Sequence, residues 1–315
     1  MKSSIPQIVL TGSSGFLGQH LLHSLIHEPL KGTANAALEI HALYGGMEGF
    51  PEAVSSMMSN SQVKVHVHQL DLTDSAKVQA WIDQYAAALD ICVHSAALSV
   101  PRVCEKDPDK ARALNVPTTF LEGLAKHNVR IIGLSTDQVY DGTKGNYKED
   151  VDSVNPLNVY GQTKVQLEEL VVKLSSSNVL LRSSIILGPK APFLPEKAHG
   201  TFLHFCASRE NQETTFFTDE CRSVIATDTV VQIIRWFLQK IMLPATNETT
   251  KTTAGIFHMG GPDNVSRMDM AKAAFTLWIS NRLSSAGGKG QDASPRSEES
   301  SGHHHGQWEI AKFDW

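Results

Sequence analysis

The stretch 8–18, "IVLTGSSGFLG", decides the fold. An apolar run leads into three glycines spaced by three, Gly12, Gly15 and Gly18, and apolar residues then recur at helical spacing in "FLGQHLLHSLIHE" (16–28). A strand, a tight turn and a helix in that order leave free backbone N–H groups at the helix N-terminus, where a phosphate is stabilised. Each glycine has a physical reason: the tight turn, close approach of backbone to a pyrophosphate, and close helix-to-strand contact. On this reading Ser13, Ser14, Phe16 and Leu17 line the same dinucleotide-binding loop as the glycines. A plain tight turn has similar spacing, but the position at the first strand of a strand–helix series favours the dinucleotide.

That series extends outward. "LEIHALYG" (38–45) is followed by a polar stretch, "VKVHVHQLDL" (63–72) by "DSAKVQAWIDQYAAAL" (74–89), and "DICVHSAA" (90–97) by "DKARALNVPTTFLEGLAKH" (109–127). "VRIIGLSTD" (129–137) then leads through loops to "GQTKVQLEELVVKL" (161–174). Apolar strands buried on both faces, each followed by an amphipathic helix, predict an α/β fold with a doubly wound parallel sheet of Rossmann type. The dinucleotide-binding domain is expected over 1–182, and a smaller mixed substrate-binding region over 183–281, with one helix around "VVQIIRWFLQKIM" (230–242). Residues 282–315 are rich in Ser, Gly and charge and are expected to be disordered, with Trp308, Phe313 and Trp315 as possible docking residues near the end. His303 to His305 are read as part of this solvated run, so no metal is expected.

Composition narrows the partners. A net charge of −5, with Lys and Arg scattered, gives no footprint for nucleic acid or an anionic membrane, and a small-molecule or protein partner is expected. Cys92, Cys104, Cys206 and Cys221 have no CxxC spacing, which fits a reducing compartment. With no leader-like or membrane-spanning segment in evidence, a cytoplasmic protein is expected.

Cofactor choice is normally made at the tip of the second strand, where an acid takes the ribose 2′-OH and a basic group accepts a 2′-phosphate. Here the tip reads "LYGGME" (43–48), with no Asp and no Arg at the expected place. This leans towards NADP, and Glu48 keeps NAD open.

Two tyrosines in "STDQVYDGTKGNYKEDVDSVNPLNVYGQTK" (135–164) have a lysine four positions later, Tyr140 with Lys144 and Tyr160 with Lys164. Asp141, Gly142 and Thr143 form a turn after Tyr140, which gives Lys144 no reason to return to it. Tyr160 instead opens a helix with an apolar face at Val165, Leu167, Leu170, Val171 and Leu174, on which a lysine four residues on shares its side and favours the phenolate. Ser135 and Thr136 end a strand, where a hydroxyl can hold a substrate oxygen beside the phenol.

These residues resemble the extended short-chain dehydrogenase/reductases, and more narrowly the branch of dTDP-4-dehydrorhamnose reductase and the regulatory β subunit of methionine adenosyltransferase. The likeness runs from about residue 7 to 275 and is densest in 8–18 and 131–190. It implies that Thr136 binds the keto oxygen, that Tyr160 is the proton donor, and that Lys164 holds the nicotinamide ribose and tunes Tyr160. It further implies Asp71 and Leu72 beside the adenine, Ala96 and Ala97 against the cofactor, Asn115 supporting the site, and Arg222 of "TDECRSVIATD" (218–228) on an anionic substrate group. Apart from the resemblance, Asp71 reads as a helix cap, Ala96 and Ala97 as small packing residues, Asn115 as a mid-helix polar group and Arg222 as a surface residue. Members of the branch continue past "GGPDNVSRMDMA" (260–271) with a further folded segment, which the low-complexity tail replaces here.

Nucleotide-sugar dehydratases of the superfamily carry Asp-Glu after the threonine, whereas this chain has Asp137 and Gln138. Ketone reduction needs only a hydride and the Tyr160 proton. The resemblance therefore implies an NAD(P)-dependent reductase of a nucleotide-activated 4-keto-deoxysugar. Its alternatives are a non-catalytic NADP-binding subunit partnering a methionine adenosyltransferase catalytic chain and, behind both, an epimerase.

Overall fold

The computed structural model describes residues 5–28, 30, 37–58, 62–198, 200–209, 212–242, 253–285, 297–298 and 310–313. The first half runs β1 (Gln7–Thr11), α1 (Phe16–His27), β2 (Leu38–Tyr44), α2 (Phe50–Met57), β3 (Val63–Gln69), α3 (Ser75–Tyr85), β4 (Ile91–His94), α4 (Pro101–Lys106), α5 (Pro108–Asn115) and α6 (Thr118–Lys126). Next come β5 (Arg130–Thr136), α7 (Val159–Leu174), β6 (Val179–Ser183), β7 (Ile186–Leu187), α8 (Phe202–Ala207), β8 (Thr214–Phe217), β9 (Cys221–Arg222) and β10 (Ile225–Ala226). The remainder comprises α9 (Thr227–Met242), β11 (Gly255–Met259), β12 (Val265–Ser266), α10 (Arg267–Ser285), β13 (Ser297–Glu298) and β14 (Ile310–Phe313).

Two compact units form. The first contains residues 1–183, 190–199 and 227–259, and the second contains 184–189, 200–226 and 260–315. The first is built on a seven-stranded sheet in the order β11-β6-β5-β4-β1-β2-β3, with every neighbouring pair parallel. The apolar runs of the strands are explained by burial on both faces. Val9, Cys92, Ile131 and Leu180 face a core closed by Val78, Trp81 and Ile82 of α3, Phe120, Leu121 and Leu124 of α6, and Leu167 and Val171 of α7. Each such side chain contributes roughly 1.5–3 kcal/mol of transfer free energy. The order of strands along the chain reverses at β1, whose neighbours are β2 on one side and β4 on the other. Connections leave this point in opposite directions, which opens a crevice at the carboxyl edge of the sheet.

The division is not a single cut at 182. The chain returns to the first unit with α9 and β11. β11 covers the free edge of β6, pairing Gly255–Met259 with Val179–Ser183. Val230, Val231, Ile234, Phe237 and Leu238 of α9 are buried, and Arg235 donates to the carbonyls of Ser24 and Glu28 at the end of α1. An open strand edge and an unpartnered apolar helix face are both satisfied this way.

In the second unit Cys206, Phe216, Met268, Ala271 and Phe275 form a small core. β7 pairs with β10, β9 with β12, and β14 lies between β8 and β13. β13 and β14 fall inside the stretch whose composition suggests disorder. Trp308, Trp315 and His303 to His305 lie outside the described residues. Cys92, Cys104 and Cys206 are buried and Cys221 is exposed, all as free thiols. No helix among the described residues is long and apolar enough to cross a membrane.

Candidate active site

The loop after β1 has the geometry that its glycines demand. Gly12 has φ +69°, and a Cβ there would lie 2.8 Å from the Ala96 backbone. A Cβ on Gly18 would come within 2.1 Å of the Gly12 carbonyl, so α1 can start against the strand only with glycine at that position. Ser13 is fully buried and its hydroxyl donates to the carbonyls of Leu10 and Leu43, which ties the loop to β1 and β2. Gly15 is the N-cap of α1, and neither a side-chain cap nor an acid in the first turn occupies that helix end. An uncapped helix N-terminus at the reversal point of the sheet fits the phosphates of a dinucleotide.

Other residues expected at the site follow the ends of neighbouring parallel strands. Ala96 and Ala97 lie just beyond β4, held by Ser95 and Ala96 N–H groups that donate to the Thr11 hydroxyl. Asp71 and Leu72 follow β3, with Leu72 buried and Asp71 exposed. Asp71 accepts from the Thr73 N–H and hydroxyl, whereas Asp74 caps α3. At the end of β2, Lys197 donates to the Glu48 carbonyl at 2.9 Å and stands 3.7 Å from its carboxylate. A basic group therefore reaches the β2 tip from 149 residues further along the chain.

Thr136 ends β5, and its hydroxyl caps the following turn by accepting from the Gln138 N–H. Asn158 caps α7, accepting from Gly161 N–H, and its amide donates to Gln138 Oε1. Gly161 lets the helix sit on that turn, because a Cβ there would be 2.3 Å from the Gln138 carbonyl. Tyr160, in the first turn of α7, is consequently buried, with the Thr136 hydroxyl near enough to its phenol to oppose the effect of burial on it. Tyr160, Lys164, Leu167, Glu168 and Val171 share the buried side of α7.

Burial pushes the Tyr160 phenol above its ordinary 10, the Thr136 hydroxyl opposing it. Lys164 lies 5.9 Å from the Tyr160 ring centre and donates to the Leu134 carbonyl at 2.7 Å. Burial lowers the Lys164 ammonium to about 8, with Glu168 pulling it upward. The sequence suggests a lysine that favours the phenolate. Burial holds the resting phenol neutral beside a lysine whose pKa is lowered but which keeps its proton at neutral pH. A neutral phenol is the form that can donate a proton.

Behind the pair is a buried polar network that the sequence did not reveal. Glu168 receives two hydrogen bonds from Arg182, at 2.9 and 2.7 Å, and one from Ser135. Arg182 also donates to the Tyr140 hydroxyl, which meets His258 Nε2 at 2.8 Å. Tyr140 is committed there, and Lys144 pairs with Asp152. Ser135 and Thr136, adjacent on a strand, point to opposite sides, one to Glu168 and the other to Tyr160. On the other flank Asn115, the last residue of α5, bridges Leu98 N–H and carbonyl to the Thr163 hydroxyl, which donates to the Tyr160 carbonyl. His94 is fully buried, bonded to Thr11 through Nδ1, and burial followed by the Lys164 charge lowers its pKa to about 3.

Arg222 lies in the second unit, on β9. Its guanidinium contacts Glu220 at 3.2 Å, and Arg267 approaches the same carboxylate at 3.1 Å.

Sheet order and edge geometry define the doubly wound Rossmann class. Within it, the chain belongs to the RmlD substrate binding domain family, whose model matches residues 6–300. It is 29% identical over 218 residues to a dTDP-4-dehydrorhamnose reductase of Aggregatibacter actinomycetemcomitans, covering 68% of this chain and 69% of that one. It is 31% identical over 216 residues to methionine adenosyltransferase 2 subunit beta of Bos taurus, covering 66% of this chain and 61% of the relative. Among solved structures, a dTDP-4-dehydrorhamnose reductase from Bacillus anthracis in complex with NADP superposes with TM-score 0.62 at 19% identity, covering 89% of this chain and 83% of that one. A UDP-glucuronic acid 4-epimerase from Bacillus cereus in complex with UDP-glucuronic acid and NAD gives TM-score 0.64 at 22% identity, covering 87% and 83%. At these identities the superpositions establish the fold.

Proposed function

We propose that this chain is an NAD(P)-dependent reductase of a nucleotide-activated 4-keto-deoxysugar. The observation that carries the reading is the buried Tyr160 beside Thr136, with Lys164 on the same buried side of α7, at the same sheet edge as the uncapped α1 N-terminus. The Gly12–Gly18 loop, with Ser13, Ser14, Phe16 and Leu17, holds the pyrophosphate, Asp71 and Leu72 flank the adenine, and Ala96, Ala97, Asn115, Tyr160 and Lys164 hold the nicotinamide end. Lys197 at the β2 tip favours the 2′-phosphate of NADP over NAD. When bound, the reduced nicotinamide supplies the hydride to the keto carbon.

Thr136 hydrogen-bonds the keto oxygen, and Tyr160 donates its proton to that oxygen as negative charge develops on it. The ammonium of Lys164 stabilises the phenolate left behind, and both require the buried setting that Asn158, Gly161 and Asn115 create. Arg222, with Arg267, takes an anionic group of the nucleotide. Resemblance to the bovine subunit supports a second reading, an NADP-binding regulatory chain for a methionine adenosyltransferase catalytic subunit.

Single-turnover oxidation of bound NADPH, followed by absorbance while a panel of nucleotide 4-ketosugars is added, tests the reductase. Oxidation by the wild type that is lost in Tyr160→Phe is expected. Tight NADPH binding without oxidation by any ketone would support the regulatory reading instead.

A further inference from the structure

Three histidines and a glutamate stand together on the outer strand pair of the sheet, in a place the reductase chemistry does not use. Side chains alternate along a strand, so Glu39 and His41 of β2 share a face, as do His66 and His68 of β3. The parallel register sets His41 opposite His66 and Leu43 opposite His68. The His41 ring lies 4.9 Å from the His66 ring and 5.2 Å from the His68 ring, nearly parallel to both. His41 Nδ1 is 3.1 Å from His68 Nε2, and a Glu39 oxygen is 3.8 Å from His66 Nε2. One ligating atom from each of Glu39, His41 and His66 can be chosen so that all lie within 4.8 Å of one another. Trp81 and Tyr85 of α3 pack against His41 and His68 and wall off the inner side.

We propose that Glu39, His41 and His66, with water completing the shell, bind one divalent transition cation of the zinc type. Mixed imidazole and carboxylate donors suit zinc, which takes them tetrahedrally at about 2.0–2.2 Å. Bonds of that length need donor atoms roughly 3.3 Å apart for a tetrahedron, which the 3.8 Å Glu39–His66 pair approaches, while the His41–His68 hydrogen bond orients the His41 ring. Neutral imidazole is the ligating form, so binding releases any proton held at the chosen nitrogens. Lys64, 3.6 Å from Glu39, is the competing cation, and it is largely exposed and free to swing away. A bound ion clips the edge strand β3 to β2 by side chains as well as by the backbone ladder, a structural role.

The test uses the 315-residue chain carrying His303→Ala, His304→Ala and His305→Ala, so that added metal has no run of three consecutive histidines to compete for it. Calorimetric titration with Zn2+ is expected to give one ion per chain, and Co2+ the intense visible absorption of four-coordination. Zn2+ is expected to raise the unfolding temperature. His66, partly exposed, tolerates replacement. Loss of a group that merely hydrogen-bonds a ligand costs about 10–100-fold in affinity, so His66→Ala, which removes a ligand itself, is expected to weaken Zn2+ by about 100-fold or more, with His127→Ala as an unaffected control. No saturable binding in the tail-substituted chain, or binding unchanged by both His66→Ala and Glu39→Gln, would overturn the proposal. All readouts are independent of reductase activity.

Discussion

Replacing Glu168 by Gln removes the negative charge from a side chain only 5% exposed, and strands the guanidinium of Arg182, 4% exposed, without its bidentate partner. Breaking a buried pair on one side costs about 3–5 kcal/mol, because the remaining charge stays desolvated. For a domain of this size each kcal/mol moves the midpoint by about 2–4 °C, so a fall of roughly 6–20 °C is expected. Arg182→Met is expected to cost as much, since it leaves Glu168 buried with only Ser135 and the nearby Lys164 ammonium. In the double variant neither orphan charge remains, so the two losses are expected to be non-additive by about 2–3 kcal/mol. Urea unfolding of the four proteins measures the cycle. Losses under about 1 kcal/mol for both single variants, or losses that add within about 0.5 kcal/mol, would refute the claim that a buried charge pair braces α7 behind Tyr160.

Two further outcomes follow from the same geometry. Gly18→Ala puts a Cβ 2.1 Å from the Gly12 carbonyl, so calorimetry is expected to find NADPH binding weakened more than tenfold, and unfolding to register about 1–3 kcal/mol of overpacking. Lys164 loses its proton at about 8 when folded against 10.5 when unfolded, so between those values the unfolded chain binds more protons and stability gains from this residue as pH rises. Compared with Lys164→Met, the wild type is expected to gain up to about 3 kcal/mol across that window, read from urea unfolding at pH 7 and pH 10.

The features legible in the sequence are those whose physics is local. Gly12, Gly15 and Gly18 sit in one turn, and Tyr160 and Lys164 in one helical turn, so spacing alone brings them together. The parallel sheet is legible for a similar reason, as apolar runs repeat with the helices between them. Long-range pairing is what escaped. "GIFHM" reads as a strand wherever it lies, and only the free edge of β6 draws it into the first unit. Arg182 meets Tyr140 across 42 positions and Tyr140 meets His258 across 118, with no local signal for either contact. Lys197 reaches the β2 tip in the same way, and His41 joins His66 and His68 only through strand register. Lys164 shares the buried side of α7 with Tyr160, as its spacing implies, but its charge state depends on burial, which spacing does not encode.

The central claim is that hydride and proton are delivered to a nucleotide-bound ketone at Tyr160, and it is tested most directly by isotope transfer. The chain is incubated with deuterated NADPH, labelled at the transferable position, and a dTDP-4-keto-deoxysugar, and the nucleotide sugar is analysed by mass spectrometry. Product carrying one deuterium on the former keto carbon, formed by the wild type and lost in Tyr160→Phe, is the expected result. Recovery of unlabelled ketosugar beside tightly bound, unoxidised NADPH would contradict it.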